Sequence, residues 1–194
     1  MPCVGPSMSS PEADRERLFF ALWPDPPIRD RLKTLAREVV GRNGRRTAAD
    51  KLHLTLAFLG ARTAGERDCM TAAAAQVGVA PFTLRLDLVG HWRRPRILWA
   101  GASVTPAGLR ELVGALNAHL VPCGYQPESR PFQAHLTLAR KATRPVPLTP
   151  VEPIEWPVHS FCLVRSVIAS TGSRYEILHT WPLGPEPVSA APGT

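Results

Sequence analysis

The sequence predicts an α+β fold in which two pseudo-symmetric lobes, each an antiparallel sheet with helices packed outside, face each other across a cleft. Two observations support this fold class. Short strand-like segments alternate with helix-like segments along most of the chain. In addition, the order strand, helix, strand occurs twice, and each copy ends on the same tetrapeptide, His-Leu-Thr-Leu, at residues 53–56 and 135–138. A pseudo-twofold axis relating the two copies would place the matching strands opposite each other.

The first copy of the repeat has clear start signals. Residues 17–23 are dense in apolar and aromatic side chains and predict a strand. Asp25, followed by two prolines, predicts the start of a helix with apolar residues at helical spacing. Residues 51–59 predict a second strand, and Thr63 with Glu66 forms a capping-box pattern that opens a second helix.

The second half of the chain predicts five further strands and one helix. The helix starts at Thr105, and a proline-rich linker is expected over residues 144–157. The ends, residues 1–14 and 184–194, lack periodicity and predict disordered tails around a single domain at residues 15–183. The predicted strands are residues 82–89, 96–101, 133–140, 158–169 and 174–182.

Composition excludes several classes of protein. The 194 residues are 44% hydrophobic and 20% charged, as in ordinary globular proteins. No run approaches the roughly 18 apolar residues of a membrane span, and the first residues do not resemble a secretory signal. We therefore expect a cytoplasmic protein that does not associate with membranes. We also expect a monomer, although composition does not indicate the oligomeric state.

The cysteines and the net charge give weaker indications. The four cysteines are far apart and form no C-x-x-C pair, so we expect reduced thiols rather than disulfides or a zinc site. The formal net charge of +7 favours polyanionic partners. The charge is scattered, however, with short clusters at residues 42–46 and 93–96, and it supports nucleic-acid binding only weakly.

The two His-Leu-Thr-Leu segments carry the functional prediction. Because alternate side chains of a strand point to opposite faces, His53 and Thr55 share one face while Leu54, Leu56 and Phe58 point into a core. The same parity pairs His135 with Thr137 on one face. A single histidine on a strand is more often a surface or hydrogen-bonded residue than a catalyst. Two identical tetrapeptides on amphipathic strands are hard to explain by packing alone.

Two histidines and two threonines converging on one point suit in-line displacement at a phosphate. One neutral imidazole can take a proton from water, and a protonated one can give a proton to the departing oxygen. Threonine hydroxyls can donate hydrogen bonds to the non-bridging oxygens, whose charge grows in the transition state. This chemistry requires no metal ion and no cofactor.

The surrounding residues resemble a known family. The segments RLFFALWP (17–24), LHLTLAFLG (52–60) and RPFQAHLTLAR (130–140) are similar to those of the LigT-like RNA 2′,3′-cyclic phosphodiesterases, which belong to the two-histidine phosphoesterases. The resemblance implies a two-lobed α+β fold and hydrolysis of a terminal 2′,3′-cyclic phosphate to a 2′-phosphate. The implied partners are RNA ends or nucleoside 2′,3′-cyclic phosphates, and some members of the family join RNA ends by the reverse reaction.

The resemblance also implies roles for individual residues. His53 would be the proton donor to the leaving 3′ oxygen and His135 the proton acceptor that activates water. Thr55 and Thr137 would hold the phosphoryl oxygens. The sequence alone does not assign acid and base, because the two motifs are identical.

Three further residues are weaker candidates. Arg140 occupies the place of a phosphate-binding arginine in the family, but strict alternation turns it away from His135 unless a bulge redirects it. Phe20 corresponds to an aromatic residue that could stack on a base, and Phe19 lies on the opposite face. Trp92 could also stack on a nucleobase.

Two alternatives remain open at this level. The same site could act on 2′-5′ linkages or on other cyclic nucleotide phosphates, with product analysis separating these substrates. A non-catalytic module that binds RNA ends would keep the basic charge, but it would not need two histidines of opposite protonation state.

Overall fold

The computed structural model describes residues 15–169 and 172–184. The predicted tails therefore lie outside the described residues, apart from residue 184. The helices are α1 (Pro26–Val40), α2 (Ala64–Ala74) and α3 (Ala107–Leu120). The strands are β1 (Glu16–Leu22), β2 (Arg45–Arg46), β3 (Leu54–Arg62), β4 (Phe82–Trp92), β5 (Ile97–Gly101), β6 (His135–Arg140), β7 (Thr149–Val158), β8 (Ser160–Ala169) and β9 (Gly172–Pro182).

The strands form one antiparallel sheet in the order β7-β4-β5-β6-β3-β1-β8-β9, with β2 added beside β6. This order divides into two groups of four strands, β7-β4-β5-β6 and β3-β1-β8-β9. The groups meet where Leu54 of β3 pairs with Leu136 of β6. The predicted α+β class is confirmed, and the two repeated segments lie side by side in one continuous sheet.

The leucines of the two repeated segments belong to the main core. Leu54 and Leu136 are fully buried and share one cluster with Leu32 of α1, Met70 of α2 and Leu112 of α3. The helices thus pack on the leucine side of the motif strands. A second, smaller cluster joins strands β1 and β8, with Trp23 and Tyr175 packed against it. That second cluster contains Phe19, Ala21, Cys162 and Val164.

Two of the three predicted helix starts, at Asp25 and Thr63, are confirmed, and the third helix begins at Ala107 rather than at Thr105. The Asp25 side chain accepts a hydrogen bond from the backbone N–H of Ile28 at 3.1 Å, with prolines in the first turn of α1. At α2, the Glu66 backbone N–H donates to the Thr63 hydroxyl at 3.3 Å, and the Thr63 N–H donates to the Glu66 carboxylate at 2.8 Å. Each cap satisfies backbone donors that have no partner within the helix.

The predicted proline-rich linker over residues 144–157 is wrong from Thr149 onward, where the chain forms β7. Among the described residues this strand lies at the edge of the sheet and pairs only with β4, with Pro157 opposite Thr83 and Pro150 opposite Leu88. An edge strand tolerates proline because half of its N–H groups face away from the neighbouring strand.

Bulges in β3 overturn the simple alternation predicted for that strand. The register with β1 shifts twice, so that Leu56 and Leu59 are extra residues. Beyond the first bulge Ala57 is buried, and Phe58, which alternation places in the core, is 50% exposed. The strand also begins later than predicted, because a 3-10 turn at Ala49–Lys51 precedes it.

The expectation of reduced cysteines is wrong for one pair. Cys69 of α2 and Cys123, in a 3-10 turn after α3, form a disulfide with Cα atoms 5.8 Å apart. No pattern in the sequence indicates this pairing, because it depends on how α2 packs against the end of α3. Cys162 is a buried free thiol, as expected, and Cys3 lies outside the described residues.

Among residues 15–169 and 172–184, no helix is both long enough and apolar enough to cross a bilayer.

Candidate active site

The two His-Leu-Thr-Leu segments cross at the centre of the sheet. β3 and β6 are antiparallel with Leu54 opposite Leu136, so a step back along β3 corresponds to a step forward along β6. This register places His53 across from Thr137 and Thr55 across from His135. All four polar side chains are half-buried, while the leucines between them are fully buried.

Two cavities open beside this crossing. The smaller, of about 200 Å³, is lined by His53, Thr137 and Arg140 among others. The larger, of about 580 Å³, is lined by His135 and Thr55 among others. Each cavity therefore combines the histidine of one motif with the threonine of the other, which is the result expected from an antiparallel repeat.

Both imidazoles are held by the same hydrogen bond. His53 Nδ1 donates to the backbone carbonyl of Lys51 at 2.8 Å, and His135 Nδ1 donates to the carbonyl of Gln133 at 2.9 Å. A carbonyl oxygen only accepts, so the hydrogen of the neutral ring is on Nδ1 and the lone pair is on Nε2. Nε2 is the atom of each histidine that is free to exchange a proton.

Aromatic side chains fix the His53 ring. Trp23 stacks on it with ring centroids 5.4 Å apart and an interplanar angle of 5°. Phe19 lies at 4.9 Å, and Tyr175 makes an edge contact at 5.1 Å. Tyr175 therefore packs against the His53 ring and also lines the smaller cavity.

His135 has a smaller aromatic support. Trp92, at the end of β4, meets its ring edge-on with centroids 4.6 Å apart. Trp92 in turn packs on Trp99, which pairs with Thr137 across β5 and β6. A Cβ at Gly90 would come within 2.3 Å of the Trp99 ring, so only glycine fits there. The sequence proposed Trp92 as a stacking residue, and the structure places it in the larger cavity.

Burial sets the protonation of both histidines. Burial, together with the smaller effects of the nearby charges of Arg140 and His135, lowers the pKa of His53 to about 4. Burial also lowers the pKa of His135, again with a contribution from Arg140. At neutral pH both rings of the empty site are therefore uncharged.

Arg140 lies on the site side of the sheet. The register between β5 and β6 shifts so that Thr137 pairs with Trp99 and Ala139 pairs with Leu98, which leaves Leu138 as an extra residue. This bulge reverses the alternation and brings Arg140 into the lining of the smaller cavity. Alternation along β6 turns Arg140 away from His135 unless the strand contains a bulge, and this is such a bulge.

Phe20 does not reach the site, which corrects its assignment as a substrate-binding residue. It is fully buried in the main core, with Phe161 at 6.2 Å and Trp181 at 5.8 Å, so no base can contact it. The other side of β1 faces the site, and there Phe19 lies against His53 with 3% of its surface exposed. Alternation predicts that one of the two phenylalanines is buried in the core. The resemblance assigned Phe20 to the site, and Phe20 is the one in the main core.

The sequence missed several residues that line the smaller cavity. Arg45, Arg46 and Lys51 all contribute to its walls. The signal for the two arginines was the basic cluster at residues 42–46, but nothing in the sequence indicated that β2 pairs with β6. Across residues 15–169 and 172–184, no three or more His, Cys, Asp or Glu side chains cluster as metal ligands.

A paired His-x-Thr site on an antiparallel α+β sheet is the arrangement of the two-histidine phosphoesterases. The family model of the 2′-5′ RNA ligase superfamily matches residues 24–167, and the chain belongs to this family. It is 36% identical over 174 residues to the RNA 2′,3′-cyclic phosphodiesterase of Escherichia coli (strain K12), which covers 88% of this chain and 98% of that protein. The resemblance read from the sequence is confirmed.

Further relatives agree with this placement. The RNA 2′,3′-cyclic phosphodiesterase of Thermus thermophilus is 33% identical over 184 residues, covering 86% of this chain and 90% of that protein. Among solved structures, E. coli LigT complexed with 3′-AMP is similar with a TM-score of 0.80 at 36% identity, covering 87% of this chain and 98% of the other.

Proposed function

We propose that this protein hydrolyses the terminal 2′,3′-cyclic phosphate of RNA to a 2′-phosphate without a metal ion. The observation that carries the proposal is the antiparallel crossing of the two motifs, which sets His53 and His135 on either side of one point. The relatives named RNA 2′,3′-cyclic phosphodiesterase support the choice of substrate.

The reaction follows from the two Nε2 atoms. His135 takes a proton from water, whose oxygen attacks phosphorus while the bond from phosphorus to the 3′ oxygen breaks. His53 gives its proton to that departing oxygen, and exchange with solvent restores both rings. Thr55 and Thr137 donate hydrogen bonds to the non-bridging oxygens, and the Arg140 guanidinium offsets the growing negative charge.

The acid role demands a change in His53 when substrate binds. Its pKa of about 4 leaves it uncharged in the empty site. A bound phosphate diester brings a negative charge between the rings and raises both pKa values, which is the effect of a nearby opposite charge. We propose that His53 becomes an imidazolium only in the substrate complex, so that the free protein does not carry the buried charge.

Histidine replacement tests the proposal. Turnover of a nucleoside 2′,3′-cyclic phosphate in excess chelator should fall by roughly 10²- to 10⁴-fold in each of the variants His53→Gln and His135→Gln. His119→Gln, at an exposed position of α3, is the matched control and should act as the unchanged protein does. Near-normal turnover in both site variants would exclude two-histidine catalysis.

A second substrate separates the acid from the base. An aryl phosphodiester releases nitrophenolate, which departs without being protonated, so it does not need the acid. On this substrate His53→Gln should recover most of its lost activity, while His135→Gln should remain impaired. The reverse pattern would exchange the two roles.

The larger cavity favours a second candidate activity on 2′-5′ linkages. It adjoins His135 and carries two exposed aromatic residues, Phe58 and Phe132, together with Trp92. Such a surface could stack the nucleoside on the far side of the phosphate. Incubation with a 2′-5′-linked dinucleotide, with products assigned by phosphorus NMR, tests this activity directly.

We also propose that the protein acts as a monomer in the cytoplasm. One chain supplies both motifs and the residues between them, so the site needs no second copy, and RNA as substrate favours that compartment. Size-exclusion chromatography with light scattering measures the oligomeric state.

A further inference from the structure

We propose that a basic platform beside the active site binds the backbone phosphates of the RNA strand that leads to the reactive end. The basic platform consists of residues 42–46, 93–96 and 140–144. Each of the three segments contains three Arg or Lys residues, and none contains Asp or Glu. The inference rests on the proposed function for the identity of the RNA end, and it adds where the rest of the strand lies.

The fold brings these distant segments together at one end of β6. Arg140 pairs with Arg45 of β2 on one side and with Ile97 of β5 on the other. Just beyond, the Ala142 N–H donates to the Arg96 carbonyl at 3.1 Å. Charges that are scattered along the sequence are therefore neighbours in the molecule.

Hydrogen bonds of the buried Asn43 side chain join two of the three segments of the platform. The amide of Asn43, which is 6% exposed, accepts hydrogen bonds from the N–H groups of Thr143 and Arg144, both at 3.0 Å, and donates to the Arg144 carbonyl at 2.8 Å. A Cβ at Gly44 would lie 2.7 Å from the Arg140 carbonyl oxygen, so the two segments are in close contact. A surface fixed in this way loses little backbone entropy on binding.

The positive charge of the platform is not neutralised within the part of the chain that the structure describes. There, arginines elsewhere in the fold pair with carboxylates, as Arg165 does with Glu16 and Glu176. No ion pair involves a basic residue of the platform in that same part of the chain, and all nine of these residues are exposed. Several unpaired cations on one rigid surface create a local potential that attracts a polyanion.

The platform is continuous with both cavities. Arg45 and Arg46 line the smaller cavity beside His53, and Arg94 lines the larger one beside His135. A strand whose terminal phosphate lies between the histidines therefore meets the platform with its next phosphates. This continuity favours RNA over an acidic protein, which carries no phosphodiester, and over a lipid surface, whose phosphodiesters include no terminal cyclic phosphate to lie between the histidines.

Binding measurements test the platform without requiring turnover. Fluorescence anisotropy would follow 5′-labelled oligoribonucleotides of two, six and twelve residues, each ending in a 2′-phosphate, at several salt concentrations. In the unchanged protein we expect affinity to increase with length. In Arg42→Gln/Arg93→Gln, the negative slope of log K against log salt should become shallower by about 1.4. Each phosphate contact on a single strand contributes about 0.7 to the magnitude of that slope.

A charge-matched control is available on α1. Arg29→Gln/Lys33→Gln removes two positive charges from a helix that packs on the leucine side of the sheet, and it should keep the full length and salt dependence. A second platform variant, Lys141→Gln/Arg144→Gln, should reproduce the first. Circular dichroism verifies folding in every case.

Two outcomes would overturn the proposal. The first is equal length dependence in the platform variants and the control. The second is loss of binding to phosphatidylglycerol vesicles in the platform variants while RNA binding stays unchanged, which would assign the surface to membranes. Neither result depends on catalysis, so a failure of the platform can be distinguished from a failure of the proposed hydrolysis.

Discussion

His53 and His135 share a tautomer and a hydrogen-bonding pattern, and they differ in their surroundings. His53 is stacked on Trp23 and packed by Phe19 and Tyr175, whereas the closest ring to His135 is that of Trp92. Because burial is the main cause of both pKa shifts, the more enclosed ring has the larger one. An identical tetrapeptide thus yields two different acids, and the difference comes from residues outside the motif.

The lowered pKa of His53 makes stability depend on pH. Its ordinary pKa is 6.5, and in the folded protein it is about 4. As the pH falls from about 6.5 to 4, the unfolded chain binds this proton and the folded chain does not, so the free energy of unfolding decreases. His53→Gln should remove this part of the decrease, as measured by denaturant unfolding at pH 7.5, 6 and 5.

His119→Gln is the control for that experiment, because it replaces a histidine at an exposed position of α3. Carboxylates titrate in the same range in all three proteins, so the difference between the curves is the informative quantity. Parallel curves for His53→Gln and the unchanged protein would contradict the burial argument.

Among the structural elements, those with local signals were predictable and those set by pairing were not. Asp25 with its prolines and Thr63 with Glu66 determine helix starts through hydrogen bonds to residues three positions away. The β7 strand, by contrast, depends on lying at a sheet edge where its prolines are tolerated. The sequence of β7 alone is that of a linker.

The bulges explain where strict alternation along a strand fails. The bulge at Leu138 reverses the alternation of β6, so that Arg140 faces the site. The bulge at Leu56 does the same in β3, so that Phe58 lies outside the core. A bulge is a property of two paired strands, and strict alternation along one strand does not reveal it. The polar residues of the two motifs precede the bulges, which is why parity placed them on one face correctly.

The loop that carries residues 42–46 depends on one buried side chain. Asn43→Ala removes three hydrogen bonds and leaves backbone groups of Thr143 and Arg144 without those partners. We expect the free energy of unfolding to fall by about 2 kcal/mol. Denaturant unfolding measures this loss. Asn117→Ala on α3 is the control and should cost less than half as much, and equal losses would show that the Asn43 contacts add little.

At the scale of the whole molecule, the disulfide joins α2 to the turn after α3. Its cysteines are 54 residues apart in sequence, and a cross-link of that span stabilises a folded chain by roughly 4 kcal/mol in the chain-entropy account. Reduction should therefore lower the thermal unfolding midpoint markedly. The double variant Cys69→Ala/Cys123→Ala should lose stability likewise and become insensitive to reductant.

A midpoint that is unchanged by reductant in the unchanged protein would contradict that expectation.

The disulfide closes a loop containing β4, β5 and α3, and Tyr125, two residues after Cys123, lines the larger cavity. Activity assays with and without reductant would establish whether the cross-link affects the site as well as the fold.

The crossing at Leu54 and Leu136 limits what the repeated motif can decide. A cyclic phosphate turned end for end between the two strands would meet the same set of groups in exchanged order: a histidine, a threonine, then a threonine and a histidine. The tetrapeptides therefore carry no preference between opening the ring at the 2′ or the 3′ oxygen. Regioselectivity must come from the unequal walls, a tight aromatic enclosure on one side and a cavity nearly three times larger on the other. Substitutions in the cavity linings, rather than at the histidines, should therefore change whether the ring opens at the 2′ or the 3′ oxygen.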